Sequence, residues 1–129
     1  MILDTSAVVA IFEREPEAQA FLTAITESDV VGISTVSVVE SGIVMAHRKR
    51  HNMQHALDLF LAKIGAELVP FTDEHRREAL RAWWRYGRTR GDANLNFGDC
   101  IAYATAKLAG RPLLCKGNDF PKTDLVPPP

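Results

Sequence analysis

No apolar run in this 129-residue chain approaches the roughly 20 residues that cross a bilayer. Its first acid, Asp4, also comes too early for the basic and then apolar start of a secretory signal. A cytoplasmic protein with no membrane partner is therefore expected. Cysteine is scarce: Cys100 and Cys115 fall in an expected helix and an expected strand, where they read as small buried groups and not as a disulfide. An excess of one charge is missing as well, since 15 Lys and Arg face 16 Asp and Glu, for a net charge of −1. That balance excludes a molecule that grips nucleic acid by its overall charge. Repeats and low-complexity stretches are absent, so residues 1–129 are expected to form one domain, and 47% apolar residues suffice for its core.

Strand-like and helix-like segments alternate along the chain. Met1 to Asp4 reads as a short buried strand, and Thr5 or Ser6 can cap a helix through Val8, Val9, Ile11 and Phe12. Pro16 is placed in the first turn of a second helix whose apolar face is Ala20, Phe21, Ala24 and Ile25. Val30 to Ile33 is the second strand. Ser34 and Thr35 cap a third helix reaching about Arg50, and His51-Asn52 separates it from a fourth helix with Ala56, Leu57, Phe60, Leu61 and Ile64 inside. Glu67 to Phe71 is a third strand. Thr72-Asp73-Glu74 opens a long helix through Trp83 and Trp84, and a loop covers Gly91 to Gly98. Asp99 to Ala109 is the last helix, stopped by Gly110, and Pro112 to Cys115 is the final strand. Strands separated by helices favour a parallel sheet covered on both faces, an α/β fold. Pro127 to Pro129 cannot pair in a sheet and are expected to fray.

Four acids fall where such a fold delivers side chains to one end of its sheet: Asp4, Glu40, Asp99 and Asp119. Taken singly, Asp4 and Asp99 are equally explained as helix caps, and Asp119 as ordinary turn chemistry. Glu40 is harder to explain locally. It lies among Val36, Val39, Ile43 and Val44, which form the apolar stripe of the third helix, and an inward carboxylate is costly unless it is paired or bound to a cation. Four clustered carboxylates repel, and a hard cation with oxygen ligands, Mg²⁺ or Mn²⁺, is the usual remedy.

Charge is also unevenly spread. Between Arg76 and Arg90 six arginines face one acid, Glu78, leaving +5 in that segment and −6 elsewhere. Arg77, Arg81, Arg85 and Arg88 are expected to share a helix face; taken alone they read as a solvated face, and beside the acidic site phosphate binding becomes the better reading. The spacing of His47, His51 and His55 suits zinc only if the helix continues through Asn52, and Arg48-Lys49-Arg50 reads as a solvated helix end.

In order, Ile2-Leu3-Asp4-Thr5-Ser6-Ala7, the run Ser34 to Glu40, the run Leu95 to Ala104 and Lys116-Gly117-Asn118-Asp119-Phe120 resemble the four acidic motifs of PIN-domain ribonucleases. The resemblance is closest to the VapC toxins of type II toxin–antitoxin pairs and covers the whole chain. One departure is the loop Gly91-Asp92-Ala93-Asn94, where relatives carry His-Pro-Ala. The resemblance implies a PIN-like three-layer α/β/α fold with a short, mainly parallel sheet. It also implies a Mg²⁺- or Mn²⁺-dependent endoribonuclease that cuts RNA to stop translation and growth. Asp4 and Asp99 would be the principal metal ligands, and Glu40 and Asp119 would complete the catalytic pocket. Thr5, Ser6 and Asn118 would support it by hydrogen bonds, although capping and turn formation explain them equally well. The implied partners are an RNA substrate, a small VapB-like antitoxin and a second copy of the chain. An apolar side of the first helix, from Val8, Val9, Ile11 and Phe12, is the candidate antitoxin groove, against plain core packing. The alternatives are a phosphohydrolase using Asp4 as nucleophile, which lacks the usual second acid at Ser6, and a catalytically inactive PIN-like module that binds RNA or protein.

Overall fold

Met1 to Leu3 supply three consecutive apolar side chains that point alternately to opposite faces of a strand. The computed structural model, which describes residues 1–128, buries both faces. Strand β1 (Ile2–Leu3) leads into helix α1 (Thr5–Phe12), followed by α2 (Ala18–Glu27), β2 (Gly32–Ser34), α3 (Thr35–Lys49), α4 (Gln54–Lys63), β3 (Glu67–Val69), α5 (Asp73–Tyr86), α6 (Phe97–Ala109) and β4 (Leu113–Leu114). A short 3-10 turn, Phe120–Lys122, closes the series.

The sheet has the order β3-β2-β1-β4 and every pairing is parallel, with Ile2 beside Gly32 and Leu113, and Leu3 beside Leu114. The two-residue period of a strand sorts the core. Met1, Leu3, Ile33 and Leu114 join α1 to α4 on one face, whereas Ile2 and Leu113 join α5 and α6 on the other. The expected α/β/α layering is therefore present. Chain order reverses between β1 and β4, and the crevice beyond the carboxyl ends of strands at such a reversal is where open α/β sheets bind ligands. Asp4 follows β1 and Asp119 follows β4.

Local chemistry moved several expected boundaries. Asp4, not Thr5 or Ser6, is the N-cap of α1, and its Oδ2 accepts the Ser6 N–H at 2.9 Å. Pro16 lies in the turn before α2, because the Ala18 N–H bonds to the Glu15 carbonyl and Glu17 becomes the cap. β3 stops at Val69, since Pro70 has no N–H for the ladder. α6 begins at Phe97 and is capped by Asn96, so the loop expected to run to Gly98 is shorter. Gly110 does end α6, in the left-handed conformation (φ +64°) that lacks a steric cost for glycine. Pro127 and Pro128 are exposed and outside any element, and Pro129 lies outside the described residues.

One larger expectation fails. On α3 the inward positions are Ser37, Ser41 and Met45, whereas Val39 and Ile43 are 61% and 65% exposed. Small serines let α3 approach α1 closely, and the Thr5 hydroxyl donates to the Ser37 carbonyl at 3.3 Å across that joint. On α1, Val8 and Val9 are buried in the chain's own core, with Ile11 and Phe12 packed against the same cluster. Ile11 and Phe12 keep part of their surface open beside that cluster. Among the described residues no helix is long and apolar enough to cross a membrane. Both cysteines are free, Cys100 buried and Cys115 partly so.

Candidate active site

Asp4 is only 3% exposed, because the end of β1 is hydrogen-bonded beside β4 and the residue starts α1 from inside the sheet. Its Oδ2 takes both the N–H and the hydroxyl of Ser6, at 2.9 and 2.5 Å, while Oδ1 is buried without any partner. An unpaired buried carboxylate oxygen is expensive. Burial pushes the pKa of Asp4 up to about 6, the Ser6 hydrogen bonds hold it down in part, and the charges of Asp99 and Glu40 raise it further.

Asp99 sits on the first turn of α6, and its placement there is not the simple cap the sequence allowed. Asn96 Oδ1 accepts the Asp99 N–H and Asp99 Oδ2 accepts the Asn96 N–H, both at 2.9 Å, a reciprocal capping box. Its pKa is raised, chiefly by burial and then by Asp119 and Glu40, against the lowering by the Asn96 N–H and by Arg88. Glu40 reaches the site from α3 by lying across Gly98. A Cβ placed on that glycine would stand 2.2 Å from Glu40 Oε2, so only glycine leaves room for the carboxylate.

Asp4, Glu40 and Asp99 line one cleft of about 280 Å³, together with Thr5, Ser6 and Asn96. Asp119 lies at the mouth of the 3-10 turn, half-buried, with no cap hydrogen bond of its own. It is not part of the cleft wall, but its field raises the pKa of Asp99 and of Cys115. Ser6 supports Asp4 as expected, Thr5 is engaged in the α1–α3 joint, and Asn118 is exposed in the turn after β4. Among the described residues no three His, Cys, Asp or Glu side chains converge closely enough to enclose an ion by themselves. The donor set nevertheless fits a hard cation that keeps several waters: three carboxylates on one cleft, one of them with a partnerless oxygen.

The raised pKa of Asp4 predicts a pH signature. Unfolded, the group titrates near 3.8; folded, near 6. The folded state therefore binds the extra proton between these values, and metal-free stability should fall as pH rises from about 4 to about 6, by on the order of 3 kcal/mol. Urea midpoints measured across that range in chelator check it. Excess Mn²⁺ should flatten the fall, because cation binding needs the ionised carboxylates. A midpoint that rises over this interval would contradict the burial of an unpartnered Asp4 charge.

The arginines of α5 stand apart from the cleft, and Arg88 is not on their face as expected, because the helix stops at Tyr86 where Gly87 turns extended. Arg77 pairs with Asp73 at 2.7 Å, Arg81 with Glu78 at 2.8 Å and Arg85 with Asp124 at 3.7 Å, each arginine side chain being exposed. Arg88 alone of the four is near enough to influence Asp99. The cations that do line the cleft are Arg48 and Lys116. Arg48, expected at a solvated helix end, thus faces the acids, and Lys116 does so from the start of the fourth acidic motif. His47, His51 and His55 are all exposed and α3 ends before His51, so the zinc reading has no geometry behind it.

The PIN domain family matches residues 1–125. Ribonuclease VapC36 of Mycobacterium tuberculosis is 43% identical over 97% of this chain and 91% of its own length. Ribonuclease VapC of Mycolicibacterium smegmatis is 41% identical over 98% of both chains. Two solved structures share the fold. One is the crystal structure of Mycobacterium tuberculosis VapC20, described as a sarcin-ricin loop cleaving toxin, with a TM-score of 0.77, 16% identity, and coverage of 97% of this chain and 95% of that one. The other is a toxin–antitoxin complex from Klebsiella pneumoniae, with a TM-score of 0.74, 18% identity and coverage of 98% and 96%. The full-length agreement favours the nuclease over an inactive binding module. With its acids gathered at the sheet crevice, this chain belongs to the PIN-domain VapC ribonucleases, the endoribonuclease toxins of toxin–antitoxin pairs.

Proposed function

We propose that the chain cleaves single-stranded RNA with the aid of Mg²⁺ or Mn²⁺ held by Asp4 and Asp99, with Glu40 and Asp119 completing the pocket. The observation that carries this reading is the buried, partnerless Asp4 Oδ1 beside Glu40 and Asp99. When bound, the cation supplies Lewis-acid stabilisation of the charge that builds on the phosphoryl oxygens. The protein residues divide the remaining work. Ser6 locks the second oxygen of Asp4, and the Asn96 capping box locks Asp99, so both carboxylates keep their aim. Glu40 lies over Gly98, where it accepts a proton from the attacking water. Asp119 acts from outside the cleft wall through its charge on Asp99, and Asn118 in the neighbouring turn offers a hydrogen-bonding group to ligand or water. Arg77, Arg81, Arg85 and Arg88 form an outer basic face for the RNA backbone, Arg88 innermost.

VapC toxins pair with antitoxins, and one structural neighbour is such a complex. For this chain a VapB-like antitoxin and a homodimer are the proposed partners, with inhibition of translation as the cellular result. The test is incubation of the chain, purified alone, with mixed-sequence single-stranded RNA. Mg²⁺ or Mn²⁺ should permit cleavage, chelator should abolish it, and excess Mn²⁺ should restore it. Cleavage indifferent to chelator would overturn the metal-dependent reading.

A further inference from the structure

A polyanionic substrate that enters this cleft meets the carboxylates of Asp4, Glu40 and Asp99. Something must offset that repulsion beyond a cation held by the acids themselves. The basic groups of α5 and of the turn after it are not placed to do so: Arg77, Arg81 and Arg85 are outside the cleft, and Arg88 lines the apolar groove on the other flank of Asn96. Two cations do share the cleft wall with the acids. Both are held by one residue, Glu15, in the turn between α1 and α2. Arg48 Nη1 lies 3.8 Å from Glu15 Oε1, and Lys116 Nζ contacts Glu15 Oε2 directly, with Glu17 Oε2 at 3.8 Å.

Lys116 is anchored differently at its two ends. Its backbone N–H donates to Ser6 Oγ at 2.9 Å, and the Ser6 hydroxyl in turn donates to Asp4 Oδ2 at 2.5 Å, so the residue is tied to the acid through one shared hydroxyl. Its ammonium is held only by ion pairs on a side chain that is 43% exposed. Glu15 itself is 23% exposed, and pairs this open to water at the cation contribute little and are readily exchanged. The same holds for Arg48, 52% exposed. A phosphodiester arriving at the acids is thus offered two cations, both paired with Glu15 and Lys116 also near Glu17, whose carboxylate contacts it can replace.

We infer that Lys116 and Arg48 bind the RNA phosphates at the cleft, and that Glu15 holds both cations in place in the empty site and competes with the substrate for them. The inference rests on the RNA-cleaving reading above and adds its phosphate-binding residues. Lys116 and Arg48 touch substrate, whereas Glu15 acts through them as a positioning residue.

The test measures binding of a fluorescein-labelled, mixed-sequence single-stranded RNA to the full chain in chelator, where nothing is cut, over a series of salt concentrations. Each lost phosphate contact on a single strand should flatten the log–log salt slope by about 0.7. Lys116→Gln and Arg48→Gln should each weaken binding several-fold and flatten the slope by about that amount, while Lys116→Arg should restore both. Glu15→Gln should tighten binding and, with Mn²⁺ present, lower KM more than it changes kcat. A merely structural Glu15 would instead lower the melting temperature and leave the affinity alone. Parent-like affinity and slope in both Lys116→Gln and Arg48→Gln would overturn the assignment while leaving the ribonuclease reading intact. A parent chain that neither binds nor cuts RNA would overturn the ribonuclease reading itself, and the inference with it.

Discussion

Asp99→Asn is expected to lose RNA cleavage by more than the roughly 10–100-fold that residues supporting a metal ligand are worth, while the chain still folds. The substitution keeps size and keeps an oxygen able to accept the Asn96 N–H, so the capping box at the start of α6 survives. What disappears is one negative charge from a group whose ionisation burial, Asp119 and Glu40 already oppose. A ligand to a cation needs that charge; a cap does not. Cleavage assays at saturating RNA with Mn²⁺, beside circular dichroism of the folded variant, separate the two. Near-parent cleavage would reduce Asp99 to a helix cap.

Gly98→Ala should damage activity by about 10–100-fold with little change in stability. The added Cβ would stand 2.2 Å from Glu40 Oε2 and 2.6 Å from Oε1, closer than real contacts allow. Those atoms are the far end of a flexible side chain, so Glu40 swings out of the cleft and α6 stays in place. Alanine also suits a helix better than glycine by up to about 1 kcal/mol, which offsets part of any strain. A misplacement of about 1 Å near reacting groups costs on the order of a hundredfold. Gly42→Ala on α3 is the control, since its Cβ would meet nothing within 4 Å and cleavage should hold. Equal activity in both alanine variants would show that the position of Glu40 is immaterial.

Asp4, Glu40 and Asp99 were legible in the sequence as acids at a strand end or in a helical pattern. The apolar stripe that singled out Glu40 is not the inward face of α3, however, and Asp119 lies outside the cleft wall. Layer order was legible too, since helices and strands alternate. Helix facing was not. Val39 and Ile43 fit the apolar period of α3, yet Ser37 and Ser41 turn inward, because close approach to α1 favours small side chains over bulky ones. The start of α6 was misplaced for a related reason: Asn96 and Asp99 are both good caps, and only the reciprocal hydrogen bonds decide between them. Contacts remote in sequence left no local trace. Nothing near Gly98 announces Glu40, and nothing near Lys116 announces Glu15.

The gathering of the acids around a cation is tested most directly by thermal melts of the parent and Asp99→Asn at neutral pH, in chelator and in excess Mn²⁺. In chelator the variant should melt at or above the parent, because crowded carboxylates repel. At Mn²⁺ a hundredfold over its Kd the parent should gain about 2.7 kcal/mol and the variant much less, so the order reverses. A variant that loses the same stability in both buffers, or a parent whose melting temperature ignores Mn²⁺, would contradict the metal site.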